Sequence, residues 1–165
     1  MPHHIRPTSF ILSLTCAVAV AFIYLFIAIS VVPYWQTLDG PAVQSWFAEH
    51  FGRFSYLMVP LHCLAIITII WAYVRQLGAP SPMRWLWLLA LVGMMICQGF
   101  NFLYFHSQLN VPLQSEELAP EHALATLDKW DSLHWIRTWA VSASVDAMVA
   151  IALMQSRLSG KPHSM

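Results

Sequence analysis

Four runs of about twenty apolar residues, each nearly free of charge, constrain this chain more than any other feature. They fall at about residues 9–32, 54–73, 85–104 and 133–154. About 20 such residues cross the hydrocarbon core of a bilayer as a helix. In lipid the segment must be helical, because every backbone polar group needs an internal partner. The 165 residues are 58% hydrophobic and only 10% charged, against roughly 25% charged in a soluble domain. Too few charges remain to cover a water-facing surface. Short connections favour antiparallel neighbours. The expected fold is all-α, a single-domain integral membrane up-down four-helix bundle.

The first run follows Arg6, as the apolar core of a signal peptide would. Its length of about 24 residues exceeds the roughly 7–15 of such a core, so a retained span is expected. Arg6, Arg75, Arg84, Arg157 and Lys161 fall on one side of the four-span layout, and Arg53 and Lys129 on the other. Positive charge marks the cytoplasmic side. Both termini are therefore expected in the cytoplasm, in a multi-pass protein of a bacterial inner (plasma) membrane. A net charge of zero gives no reason to expect a nucleic-acid partner.

The two longer connections carry local signals. Gly40-Pro41 marks a turn, and Val43, Trp46, Phe47 and His50 recur at helical spacing, as in a short interfacial helix. Pro120-Glu121 resembles a first helical turn that runs on into the fourth span. Asn110 before Val111-Pro112 reads as a turn just past the third span. From there its side chain is expected to fold back as a lid.

Polar side chains inside the spans carry the functional information, since each costs a few kcal/mol without a partner. Trp130, His134 and Arg137 share one face of the fourth span. A guanidinium beside an imidazole suits a carboxylate, phenolate or enolate. The competing reading is an arginine that snorkels to the headgroups. His62 on the second span and Gln98 and Asn101 on the third lie at a matching depth, so one polar layer is expected. Asp146 sits near the middle of the fourth span, nine residues beyond Arg137, and so on nearly the opposite face. Its expected partner is a hydroxyl or amide on another helix, or another subunit.

Histidines 62, 106 and 134 come from three spans, which raises a metal site as a minor reading. On an α-helix, however, His106 points well away from Asn101, and no E-x-x-H pair occurs. No metal or cofactor is therefore expected. Cys16, Cys63 and Cys97 lie within apolar runs without a C-x-x-C pair and read as small packing residues.

The stretch Asn110-Val-Pro-Leu, an acidic loop, and Lys129-Trp-Asp-Ser-Leu-His-Trp-Ile-Arg-Thr138 opening the last span resembles the small anthrone-oxygenase-like membrane proteins. Phe22-Ile-Tyr-Leu-Phe and Val31-Val-Pro in the first span are also similar. The four-span layout matches over nearly the whole chain, although Gln114 stands where an Asn is common in relatives. The resemblance implies an oxygenase acting on a phenolic, polyketide-like aromatic, with O₂ as co-substrate and no dedicated cofactor. The residues it carries over are Asn110, Trp130, His134 and Arg137. His134 is then the expected general base, Arg137 and Asn110 stabilise the enolate, and Trp130 stacks on the ring. His62, Gln98 and Asn101 would complete the substrate-binding wall. The alternative is a non-catalytic binding or accessory protein for a lipid, quinone, haem, metal ion or partner subunit. A small transporter is a third reading, without a broken-helix signature to support it. Expected partners are membrane lipid, a small hydrophobic aromatic ligand, and a second copy or another subunit at the Asp146 face.

Overall fold

The computed structural model describes residues 7–77 and 82–159. Those residues form four long helices, and no strand occurs among them. We label them α1 (Thr8–Trp35), α2 (Gly40–Arg75), α3 (Pro82–Gln114) and α4 (Pro120–Ser159). Each is long and apolar enough to cross a bilayer, which fits an integral membrane protein. Arg6 and Lys161, used above for topology, lie outside the described residues.

The helices form a closed ring. α1 packs against α2 and α4, and α3 packs against the same two. Each helix thus neighbours the one before and after it, as an up-down bundle requires. The α3–α4 contact is tight because Gly93 faces the Ala140 carbonyl and the Ser144 hydroxyl with no room for a Cβ. Glycine at such a crossing lets two backbones approach closely. At the α2–α3 turn, the Arg75 guanidinium lies 4.9 Å from the Trp71 ring and that of Arg84 5.6 Å from Trp85. Arginine on tryptophan is the pairing expected at a membrane boundary.

The helices extend past the apolar runs at the opposite end, here called the cap. Two expectations change here. Residues 43–50 are not a separate interfacial helix but the opening turns of α2. Asp39 starts that helix by accepting the Ala42 N–H at 2.9 Å, as an N-cap does. Asn110-Val-Pro is likewise no turn, since α3 continues through it to Gln114.

The reason lies in π-wound segments: Ile27–Val31 in α1, Phe47–Phe51 in α2 and Asn101–Asn110 in α3. Pro33 and Pro112 each sit in the first turn of α-helix after a π segment. Proline lacks an N–H and its ring crowds the carbonyl one turn back. In the first turn of a new α-segment that N–H is not needed, so the helix passes through. The true break after α3 comes at Glu116, whose φ is 59°.

Two apolar cores fill the bundle. One, toward the chain ends, packs Ala17, Val20, Ile69, Trp87, Met94, Val141 and Met148 among others. The other, under the cap, gathers Trp35, Val43, Phe47, Phe105, Leu113, Leu127 and Trp130. The cap is locked by Gln44, whose side-chain amide donates to the Leu118 carbonyl and accepts the Leu118 N–H, both at 3.0 Å.

Candidate functional site

Between the two cores lies the polar layer. Trp130, His134 and Arg137 face inward from α4 and are 1–3% exposed. The His134 ring is sandwiched between two others. Trp130 stacks on one side at 4.7 Å between centroids and Tyr24 on the other at 5.2 Å.

The hydrogen bonds of His134 fix its proton. Nε2 lies 2.9 Å from the Tyr24 backbone carbonyl, which only accepts. Nδ1 lies 2.8 Å from an Arg137 terminal nitrogen, which only donates. Nε2 must therefore carry the hydrogen and Nδ1 the lone pair. His134 is a neutral imidazole with both nitrogens committed, and it orients the guanidinium.

Arg137 is a buried cation without a carboxylate. The ion pairs among the described residues do not include it. Its other terminal nitrogen donates to the Asn101 Oδ1 at 3.3 Å, and its guanidinium carbon lies 3.2 Å from the Phe105 ring centroid. The aromatic faces of Phe105, Tyr24 and Trp130 supply partial negative potential. The Arg137 Nε is buried with no hydrogen-bond partner among the described residues, and so is the Gln98 Nε2. Both atoms can only donate.

On the other side of the layer, His62 is held by its own helix. Its Nδ1 donates to the Met58 carbonyl at 3.0 Å, leaving the lone pair on Nε2, which lies 3.5 Å from the Cys97 sulfur. The Cys97 thiol also neighbours the Tyr24 hydroxyl. Asn110 accepts the Trp130 indole N–H at 2.9 Å. That bond fixes the amide orientation and directs Oδ1, not Nδ2, at the indole.

These groups enclose one cavity of about 220 Å³. His62, Gln98, Asn101, Asn110, Trp130, His134 and Arg137 all line it. So does every residue proposed from sequence for the site except Asp146. The exposed members of the lining are Ser55, Phe102 and His106, so the cavity opens between α2 and α3. A cavity of ~150 Å³ takes one benzene ring. This one suits a fused aromatic, with the rest of the molecule extending through the mouth.

Three expectations change. His106 and Asn101 line the same cavity, although α-helical spacing would separate them. The π segment explains this, because i→i+5 bonding sets residues five apart nearly in line. Asn110 reaches the cavity from the wall of α3, not from a loop lid. Asp146 is exposed on the outside of α4, with no hydrogen bond or ion pair among the described residues. No hydroxyl or amide among the described residues partners it.

Two participants were not anticipated. Tyr24 entered the sequence reading only within the Phe22-Ile-Tyr-Leu-Phe stretch and with no role, and Cys97 was read as packing. A phenol in mid-span needs a partner for its O–H, and that signal was available. The hydrogen-bonded role of Cys97 follows only from its neighbours. Among the described residues, no group of three His, Cys, Asp or Glu side chains is arranged to hold a metal ion. Comparison with protein-family models, curated proteins and solved structures finds no match to the chain.

Proposed function

We propose that the cavity binds a small planar aromatic with an ionisable oxygen, a phenol or enol, and that the protein oxygenates it with O₂ without a dedicated cofactor. The observation that carries this reading is Arg137, a buried cation on the cavity wall with aromatic neighbours and no anion of its own. Burying a charge in a membrane span costs a few kcal/mol. An anionic ligand oxygen would offset that cost and occupy the donors left idle at Arg137 Nε and Gln98 Nε2.

The chemistry follows from the donors. Ionisation of the ligand places negative charge on its oxygen, where Arg137 stabilises it. Asn110 contributes its free amide nitrogen and Trp130 an aromatic wall. The enolate carbon then adds O₂, and the hydroperoxide loses water to leave a new carbonyl. One O₂ is consumed, and one of its atoms leaves as water. His134 is a positioning residue in this scheme. With Nε2 on a carbonyl and Nδ1 on Arg137, it has no lone pair for the substrate proton.

The same saturation of His134 favours a second reading, in which the ligand is held and not consumed. Oxygen uptake separates the two. Purified protein supplied with anthrone is expected to consume O₂ and release anthraquinone, and Arg137→Gln is expected to lower that rate by about 10²–10³-fold. Tight binding without turnover would establish the second reading. Wild-type behaviour of Arg137→Gln in both binding and turnover would overturn the site itself.

The protein is further proposed to lie in a plasma membrane with the Arg75–Arg84 turn and both termini on the cytoplasmic side. Support comes from the positive charge at that end of the bundle.

A further inference from the structure

A ligand that ionises in the cavity must deliver a proton somewhere, and His134 cannot take it. The one buried imidazole lone pair on the lining without a strong donor is His62 Nε2, at 3.5 Å from the Cys97 thiol. The thiol in turn neighbours the hydroxyl of Tyr24, a residue that lines the cavity. Tyr24, Cys97 and His62 are 4%, 0% and 1% exposed, so no bulk water competes along this line. The three come from three helices, α1, α3 and α2. Apolar residues pack around them on the side of the chain ends, including Val20, Ala65 and Met94.

We propose that Tyr24, Cys97 and His62 form a proton path that takes the ionising proton of the ligand and stores it on His62. This rests on the phenol or enol reading of the cavity. The Tyr24 oxygen keeps lone pairs after donating its hydrogen, so it can accept the ligand proton. As it does so, the tyrosyl hydrogen passes to the Cys97 sulfur and the thiol hydrogen passes to His62 Nε2. Each O–H or S–H bond that breaks is replaced by one that forms. Tyr24 and Cys97 end neutral, the ligand is an anion and His62 is an imidazolium. The Met58 carbonyl, already accepting from Nδ1–H at 3.0 Å, stabilises that cation further. The positive charge appears on one wall of the cavity while Arg137 holds the anion on another. In this step Cys97 and His62 act through Tyr24, whose oxygen is the one that meets the ionising oxygen of the ligand.

The arrangement also explains why a cysteine serves at position 97. A thiol both donates and accepts, and it bridges two partners where an apolar side chain of the same size would interrupt the line.

The test uses 4-nitrophenol, whose anion absorbs in the visible, with purified wild-type protein at a pH where the free probe is protonated. Equilibrium dialysis measures how much binds, and absorbance measures how much of the bound probe is ionised. Wild type is expected to bind it as phenolate. His62→Gln keeps hydrogen-bonding atoms but not a basic nitrogen, and the ionised fraction of whatever probe binds is expected to fall at least about tenfold. Cys97→Ala breaks the path and is expected to show the same loss. Cys97→Ser restores a group that both donates and accepts, and is expected to recover the phenolate. This rescue separates relay from folding. If His62→Gln and Cys97→Ala bind the probe as phenolate like wild type, the path is wrong and the cavity reading stands. Bound but un-ionised probe in wild type also overturns the path alone. Failure of wild type to bind the probe removes the cavity reading, and the path with it.

Discussion

Removing Arg137 gives a stability pattern that distinguishes a ligand-facing cation from a structural one. A guanidinium in mid-span costs roughly 3 kcal/mol. Its stack on Phe105, at 3.2 Å, returns about 2 kcal/mol when desolvated. The bond to Asn101 at 3.3 Å is long. In Arg137→Met these terms nearly cancel. What remains is the His134 Nδ1 lone pair, buried and stripped of the donor that sat 2.8 Å away. A buried acceptor left unmade costs about 1–3 kcal/mol, and the single variant is expected to lose that much. Adding His134→Phe removes the orphaned nitrogen while keeping a ring between Trp130 and Tyr24. The Tyr24 carbonyl loses only a second partner, which costs little. The double variant is therefore expected within about 1 kcal/mol of wild type, because replacing both partners of a buried hydrogen bond by apolar groups is nearly neutral. Ligand affinity should nevertheless fall by about 2–5 kcal/mol in both. Denaturant titration of the purified protein in one detergent reads the stabilities, and equilibrium dialysis reads the binding. A double variant less stable than the single one would refute the reasoning, since the Arg137–His134 pair would then be holding the bundle together.

Other outcomes follow from other parts of the molecule. Gly93→Ala puts a methyl group against the Ala140 carbonyl and the Ser144 hydroxyl and is expected to cost about 1–3 kcal/mol by overpacking, seen as a lower midpoint in the same titration. Ser144→Ala should recover only part of this, because the carbonyl stays. Asp146 is exposed on the outside of α4, so Asp146→Leu is expected to leave probe binding unchanged while shifting the protein toward monomer on size-exclusion chromatography in mild detergent. An unchanged elution volume would exclude a role for this face in self-association. A cytoplasm-dependent fluorescent reporter fused after Met165 is expected to be active, and a periplasm-dependent phosphatase at the same place inactive. The reverse pattern would invert the proposed orientation.

The spans were legible in the sequence because charge is nearly absent from them and concentrated between them. The grouping of Trp130, His134 and Arg137 was legible for a similar reason. α4 is regular α-helix over its whole length, so spacing of three and four residues does report a shared face. The same arithmetic failed on α3. It separated His106 from Asn101 because nothing local announces the π segment Asn101–Asn110, whose wider turns follow from packing. Asn110-Val-Pro was likewise read as a turn past the third span, where a π-to-α junction carries the helix through. Tyr24 and Cys97 were missed for a different reason. Their importance lies in pairs that span helices, and helix neighbours in a bundle are not encoded by any short spacing. Asp146 was correctly placed away from Arg137, yet its lack of a partner among the described residues depends on which faces of α4 are covered by α1 and α3.

The three π segments explain why this bundle has a cavity at all. Regular α-helices fill the half toward the chain ends, where Trp87, Ala90, Met94, Val141 and Met148 are fully buried. In the other half, α1, α2 and α3 each widen, at Ile27–Val31, Phe47–Phe51 and Asn101–Asn110. Residues from all three segments line the cavity, Ile27, Phe51 and Asn101 among them. A π turn gives up ideal backbone geometry, and in lipid nothing but neighbouring protein can compensate. Such turns persist only where surrounding contacts favour them, as the Trp35–Trp130 and Phe105–Trp130 ring contacts do here at 5.1 and 5.6 Å. The aromatic cap thus holds open the widened walls, and α4, the one helix without a π turn, presents a rigid Trp130–His134–Arg137 stripe to the space they leave. A buried cation, two idle donors and a preformed aromatic wall thus share one space, which is the arrangement that the proposed anionic ligand requires.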